Sequence, residues 1–521
     1  MPVARTHSIA LVGVQGHPVE IEADIQNGLP GLLLVGLPDT ALREARDRIR
    51  AAIINSREQW PQRRITVGLS PASLPKRGSG FDLGIAVAIL SATGAVPAAA
   101  IDGVAFLGEL GLDGQLRPVR GVLPAVAAAA ASGFHRVAVP SANAAEASLV
   151  PDLRVLSATT LSGLLGWLRG DPAAGEADPV RVIEGGATLG AAPDGAGSSG
   201  GPGPDLADVL GQPTARRAAE ICAAGGHHLC LLGPPGAGKT MLAERIPTVL
   251  PRLDGPTALE VTSIHSVAGV LPDGSRLMTA PPFCAPHHTA TKAAIVGGGS
   301  GVIHPGAASL AHRGCLFLDE APEFGRDVLD ALRQPLESGE VVVARLGMTA
   351  RFPARFTLVL AANPCPCAKG PARRAACECT PGVRRRYLAR LSGPLLDRVD
   401  VKVEFLPVSR SELLSDRTFA EPSAVVAARV EAARHRAAER LRGTPWRLNA
   451  EIPGSELRRR YAPAPGALAP LERAMDLGQI SARGVHRVVR VAWTLADLAG
   501  VSRPTADQTS YALGLWLGVP G

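Results

Sequence analysis

A chain of 521 residues, 46% apolar and 19% charged, can bury two to four ordinary domain cores, which excludes a disordered or low-complexity protein. The formal net charge of +7 is spread thinly over that length, so it permits a nucleic-acid partner without demanding one. The first residues lack the apolar run of a secretion signal, and the Ala-rich run from Ala125 to Ala131 is too short to span a bilayer; the expectation is a cytoplasmic protein with no membrane partner.

In chain order, "LLLVGLP" from Leu32 and "ITVGLSPA" from Ile65 read as strands. "TALREARDRIRAAIINS" reads as an amphipathic helix capped by Asp39 or Thr40. "FDLGIAVAILSATG" reads as a buried helix ended by Gly94. "GVLPAVAAAAASGF" is a further helix and "RVAVP" a strand after it, so residues 1–169 form an α+β domain. Residues 170–204, rich in Gly, Ala, Pro, Asp and Ser, lose all apolar periodicity and read as a flexible linker. A helix then opens in "DLADVLGQPTARRAAEICAAG". The strands "HLCLLG", "GCLFLDE" and "RFTLVLAAN" alternate with the helices "KTMLAERIPTVL" and "DVLDALRQPLESG". Short apolar strands alternating with helices predict an α/β domain over 205–408, with a parallel sheet covered on both faces. "GEVVVARLGMTARFPARF" reads as a β-hairpin turning at Gly347, with Arg345, Arg351 and Arg355 flanking its tip, a basic surface suited to phosphates. "PHHTATKAAIVGGGSG" reads as a mobile loop, because two adjacent histidines without further close ligands make a poor zinc site. Residues 409–521 are helical.

Lysine occurs only at positions 76, 239, 292, 369 and 402, which singles out Lys239. The run Gly233, Pro234, Pro235, Gly236, Ala237, Gly238, Lys239, Thr240 fits G-x-x-x-x-G-K-[ST] between an apolar strand and a helix. Its glycines let backbone N–H groups approach the phosphates of ATP, Lys239 neutralises them, and the Thr240 hydroxyl can ligate Mg²⁺. A second apolar strand delivers Asp319 to the Mg²⁺ sphere and Glu320 to the attacking water. A third ends at Asn363, which can orient that water or sense the γ-phosphate, the alternative being an ordinary turn residue before Pro364. Arg398 is either an arginine supplied to a neighbouring subunit's site or one half of a salt bridge with Asp397 or Asp400.

Directly after Asn363 come Cys365, Cys367, Cys377 and Cys379. In a reducing compartment, C-x-C repeated after nine residues supplies four thiolates for structural Zn²⁺. The polar stretch between the pairs has no apolar content to order itself, and a metal would supply that energy. Reversible disulfides and free thiols are the alternatives.

The runs "VGLPDTALREARDRIRAAIINS", "KRGSGFDLGIA", "APHHTATKAAIVGGG", "HRGCLFLDEAPEF", "LRQPLESGEV", "RYLARLSGPLLDRVD" and "SARGVHRVVRVAWTLADL" resemble the ComM/YifB family of magnesium-chelatase-like AAA+ ATPases, over nearly the whole chain. The resemblance implies a helix-2-insert AAA+ module working as a homohexamer, followed by a C-terminal helical lid. It makes Arg398 an arginine finger and Asn363 sensor 1. It makes Arg483 the sensor-2 arginine, with Arg487 as runner-up. It implies a Lon-protease/ribosomal-S5-like N-terminal domain. The implied activity is that of a DNA helicase promoting branch migration when incoming single-stranded DNA recombines in natural transformation, with recombination proteins as further partners. Two other readings stand beside it. One is a chelatase-type motor subunit remodelling a protein partner, against which the fused N-terminal domain speaks. The other is a Lon-like protease, for which Ser79 has no evident base and "RPVRGVLPAVAAAAASGFHRVAVP" contains no lysine.

Overall fold

The computed structural model describes residues 3–36, 40–76, 78–171, 178–186, 203–271, 276–299, 303–345, 348–367, 377, 379–391, 393–406 and 420–518. Among them two larger sheets organise the chain. The first begins with a hairpin that the sequence reading did not identify, β1 (Ala4–Val12) and β2 (Gln15–Gln26). Val12 faces Gln15 across a two-residue turn, and Gly13 takes φ 67° there, a left-handed conformation that glycine adopts without a Cβ clash. The signal was present: Val19, Ile21, Ala23 and Ile25 alternate along β2, and all four are buried.

Next come β3 (Gly31–Val35), α1 (Thr40–Asn55), β4 (Arg64–Ser70) and α2 (Asp82–Ala92). The cap expected at Asp39 lies outside the described residues. Helix α2 is apolar on every side and buried from Asp82 to Ser91, as its sequence predicts. After it follow β5 (Val104–Phe106), α3 (Val122–Ala131), β6 (Arg136–Pro140) and β7 (Arg154–Ala158). Within the expected linker, Arg181–Glu184 forms a strand, β8, antiparallel to β7. That part of 170–204 is therefore ordered by pairing with a sheet edge, a long-range partner that local composition cannot reveal. Residues 172–177 and 187–202 lie outside the described residues. The strand order is β8-β7-β6-β5-β1-β2-β4-β3.

The helix expected from Asp205 begins later, as α4 (Pro213–Gly225). Proline fits a first helical turn, where its missing N–H costs nothing. Residues 206–208 form a separate 3₁₀ turn capped by Asp205. The second sheet has the order β10-β11-β14-β9-β15, all parallel. It comprises β9 (Leu229–Leu232), β10 (Phe283–Cys284), β11 (Cys315–Leu318), β14 (Thr357–Ala362) and β15 (Val401–Glu404). Helices α5 (Lys239–Val249) and α6 (Gly255–Ala268) follow β9. Parallel strands place all their carboxyl ends on one edge, where such sheets bind ligands.

The hairpin is β12 (Glu340–Arg345) with β13 (Met348–Pro353). Its expected turn residue, Gly347, lies outside the described residues. The arginine placement differs from expectation. Arg345 stands beside the turn, but Arg351 pairs back to Glu340 at 2.6 Å and Arg355 lies beyond the hairpin's base, on Glu451 at 3.1 Å. The loop expected at 286–301 contains a short helix, Lys292–Val296, whose N-cap Thr291 accepts from Ala294 N–H.

Helices α7 (Ser423–Arg440), α8 (Ala482–Ala499) and α9 (Ala506–Leu517) close the chain. Their apolar faces join Leu229, Leu231, Val401 and Val403 in one core. The two halves touch where Ser266 donates to Glu146 and Gly121 N–H reaches the Ser266 carbonyl at 3.2 Å. No helix among the described residues is long and apolar enough to cross a membrane.

Candidate active site

Three strand tips build the site. Strand β9 is a buried apolar run that ends at Gly233, whose N–H donates to the Ala362 carbonyl at the tip of β14. A Cβ at Gly233 would meet Phe405 at 2.5 Å, so only glycine fits there. Gly238 takes φ 97° immediately before α5, turning the chain so that successive N–H groups face the cradle. Lys239 is buried. Its ammonium donates to the Gly233 carbonyl (2.7 Å), the Pro234 carbonyl (2.9 Å) and Asn363 Oδ1 (3.1 Å). Burial pulls the Lys239 pKa down, and Asp319 and Glu320 pull it back up. A phosphate in the cradle would offer this cation a charged acceptor in place of three neutral ones, a stronger bond.

Strand β11 is buried throughout. Burying each such side chain contributes about 1.5–3 kcal/mol, which fixes the strand and the carboxylate at its tip. The Thr240 hydroxyl donates to Asp319 Oδ2 at 2.7 Å, and Glu320 N–H donates to Asp319 Oδ1 at 2.9 Å. A hydroxyl and a carboxylate side by side are hard oxygen donors of the kind Mg²⁺ takes, so the pair fits that ion. Glu320 has φ 49° and ψ 41°, a left-handed backbone costing a non-glycine residue about 1–2 kcal/mol. Its carboxylate lies 3.4 Å from His288 Nδ1. The sequence reading missed this pairing. The "PHHT" run reads as a mobile loop and a poor zinc site, and nothing local shows that β10 lies next to β11.

Arg398 and Arg483 lie elsewhere. Arg398 is buried and donates to Glu337 and to the Pro394 carbonyl. The pairing with Asp397 or Asp400 is not what forms. Arg483, at the start of α8, reaches the same Glu337 oxygen at 3.0 Å. Asp400 goes instead to Arg487, at 2.6 Å. Burial by itself would raise the Asp400 pKa, but Arg487, His227 and His228 outweigh it and hold the carboxyl far below the usual range. Asp400 and Val401 N–H groups bond the His228 carbonyl, at the amino end of β9. The glycine-rich loop 233–240, the P-loop, follows that strand's carboxyl end. The four residues between span about 13 Å, so both arginines occupy the sheet edge opposite their own chain's P-loop.

The four cysteines converge. Cys365 Sγ is 3.0 Å from Cys367 Sγ and 3.3 Å from Cys377 Sγ, and all four sulfurs lie within 4.8 Å of one another. Tetrahedral zinc, with Zn–S of about 2.3 Å, needs sulfurs about 3.8 Å apart, so the donor set fits it. Hydrogen bonds from Cys379, Cys365 and Cys367 pull Cys377 down to about 6, and burial pushes Cys365 up to about 12. The intervening 368–376 lie outside the described residues. Ser79, just before α2 in the first half of the chain, donates its hydroxyl to the Glu109 carboxylate.

The chain matches "Magnesium chelatase, subunit ChlI" over residues 205–413, "Subunit ChlI of Mg-chelatase" over 21–143 and "Magnesium chelatase, subunit ChlI C-terminal" over 420–515. It is 41% identical to the competence protein ComM of Haemophilus influenzae, over 99% of this chain and 97% of that one. It is 40% identical to the uncharacterized protein YifB of Escherichia coli, over 96% and 94%. It is 51% identical to an uncharacterized protein of Mycobacterium tuberculosis, over 98% of each.

Proposed function

This chain belongs to the ComM/YifB family of magnesium-chelatase-like AAA+ ATPases, and from that membership we propose a ring-forming, ATP-driven DNA motor, a helicase promoting branch migration during recombination of incoming DNA. The observation that carries the ATPase half is the convergence of Lys239, Thr240, Asp319, Glu320 and Asn363 at one sheet edge. In this reading Lys239 and the N–H groups of the 233–240 loop hold the triphosphate. Mg²⁺, held by Thr240 and Asp319, would neutralise charge on the β- and γ-phosphates. Glu320 takes a proton from water as the new O–P bond forms and the bond to the ADP oxygen breaks. Asn363 orients that water. Arg398 and Arg483 both hold Glu337, at the sheet edge opposite their own P-loop, and in this reading each completes the site of a neighbouring subunit in a hexamer.

The DNA half is supported by the likeness to a protein named for competence and by the hairpin, a two-stranded sheet of its own with Arg345 beside its turn. We assign 1–169 to a Lon/S5-like domain serving ring assembly or DNA contact, 205–408 to the ATPase module and 409–521 to the lid, in a cytoplasmic protein that meets recombination proteins. The test is ATP-dependent migration of a four-way DNA junction by purified protein, with Lys239→Ala as control. Junction movement lost in the control is the expected result. ATP hydrolysis indifferent to DNA under ring-forming conditions would remove the DNA half and favour remodelling of a protein partner.

We further assign Cys365, Cys367, Cys377 and Cys379 to structural Zn²⁺ between Asn363 and Arg398. Replacing Cys365 and Cys377 with Ser should lower zinc content and thermal stability together, because metal binding there is folding energy. Freshly reduced wild-type protein without zinc in elemental analysis would end this assignment.

A further inference from the structure

Between the amino ends of the second sheet and the C-terminal helices lies a cavity of about 800 Å³, on the edge away from the P-loop. Eight arginines line it against four carboxylates among the described residues. Two of the four carboxylates are engaged at one end of it. Asp400 is held by Arg487 and Glu337 by Arg398 and Arg483, while Asp254, which accepts Thr257 N–H at the start of α6, also feels the charges of Arg313 and Arg447. At the other end of the cavity, Arg313, Arg355, Arg434 and Arg447 gather around Glu451. Glu451 is itself divided: one oxygen takes Arg355 at 3.1 Å, the other the N–H groups of Arg447 and Leu448. Glu260, beside Arg313, is taken by His312 at 3.0 Å.

The cluster is short of negative charge: its four arginines face three carboxylates, Asp254, Glu260 and Glu451, and Glu260 is shared with His312. Arg313 Nε is buried without a hydrogen-bond partner, and its backbone sits at φ 62°. Burial and the neighbouring Arg355 lower its pKa. Burial and Arg313 together bring Arg434 down to about 10, although its guanidinium also donates to the Ala223 carbonyl at 2.6 and 2.9 Å. Like charges partly removed from water repel unless an anion joins them. Guanidinium forks match phosphate oxygens two at a time, and the volume suits a small ligand.

We propose that the Arg313–Arg355–Arg434–Arg447 end of this cavity binds phosphate groups, at a site separate from the P-loop. The source is either a free nucleotide polyphosphate or the backbone of a nucleic acid. Arg355 follows the last strand of the β12–β13 hairpin, and Arg434 belongs to α7. A bound phosphate would therefore join the hairpin's base to the C-terminal helices.

The test uses full-length Lys239→Ala protein, which weakens phosphate binding at the P-loop. Thermal unfolding is followed with inorganic tripolyphosphate, and anisotropy with a labelled single-stranded oligonucleotide. One of the two ligands should bind, and Arg313→Gln with Arg447→Gln should weaken that binding about tenfold or more, the loss of at least one charge-assisted hydrogen bond. An effect on tripolyphosphate assigns the site to free polyphosphates; an effect confined to the oligonucleotide assigns it to nucleic acid. If the double variant does not fold, Arg447→Gln alone, whose side chain is exposed, supplies the same comparison. Neither ligand weakened by loss of these arginines would overturn the proposal and leave the ATPase reading untouched.

Discussion

Replacing Glu320 with Gln should leave ATP binding intact and slow ATP turnover by about 10²–10⁴-fold, the usual contribution of a positioned general base. Gln keeps the size of Glu and tolerates the φ 49° backbone equally, so the turn that aims the side chain should persist. It removes the group that accepts the proton from water. The hydrogen bonds of the cradle are untouched, because Lys239 bonds Gly233, Pro234 and Asn363 rather than Glu320. A labelled ATP analogue should therefore bind Glu320→Gln as it binds wild type, whereas Lys239→Ala should lose binding and turnover together. Turnover of Glu320→Gln near the wild-type rate would show that another group activates the water. His288, at 3.4 Å from the carboxylate, would then be the first residue to replace.

Arg398→Ala should lower turnover by about 10³–10⁵-fold, the range of arginine fingers, and mixing it with Lys239→Ala should restore part of the activity. Each variant is inactive alone. In a mixed ring, an intact P-loop from an Arg398→Ala subunit can face an intact arginine from a Lys239→Ala subunit. If Arg398 served its own P-loop, no mixture could rebuild a complete site, so flat activity across mixing ratios would refute action between subunits. The geometry motivates the expectation. Arg398 lies beside Asp400 at the amino end of β15, with about 13 Å of strand between that edge and the cradle. Arg398→Lys separates charge from shape: Lys keeps the cation but lacks the planar fork, so it should recover little. Arg483 shares Glu337 with Arg398 and should act at the same interface.

The residues of the nucleotide cradle were legible because their chemistry is local. A strand, a glycine-rich turn and a helix follow one another in "HLCLLGPPGAGKTMLAERI", and apolar runs announce the strands that carry Asp319 and Asn363. The four cysteines were legible for the same reason, their spacing being short. The β1–β2 hairpin was equally readable in the alternation of β2 and was missed. The strand Arg181–Glu184 was not readable, since four residues in a polar stretch become a strand only when β7 offers them an edge.

The sequence by itself determined which residues can touch a phosphate and which polar side chains, Asp319 and Asn363, stand at the tips of β11 and β14. Strand–turn–helix geometry follows from neighbours along the chain. Only the tertiary structure decided what faces what. The parallel order β10-β11-β14-β9-β15 sets His288 against Glu320. Packing of the C-terminal helices under the sheet draws Arg398 and Arg483, 85 positions apart in the chain, onto Glu337. The same packing gathers Arg313, Arg355, Arg434 and Arg447 around Glu451. Charges so far apart in sequence repel or attract only after the apolar core has fixed the helices over the sheet. Their arrangement is a consequence of packing, and no local pattern encodes it.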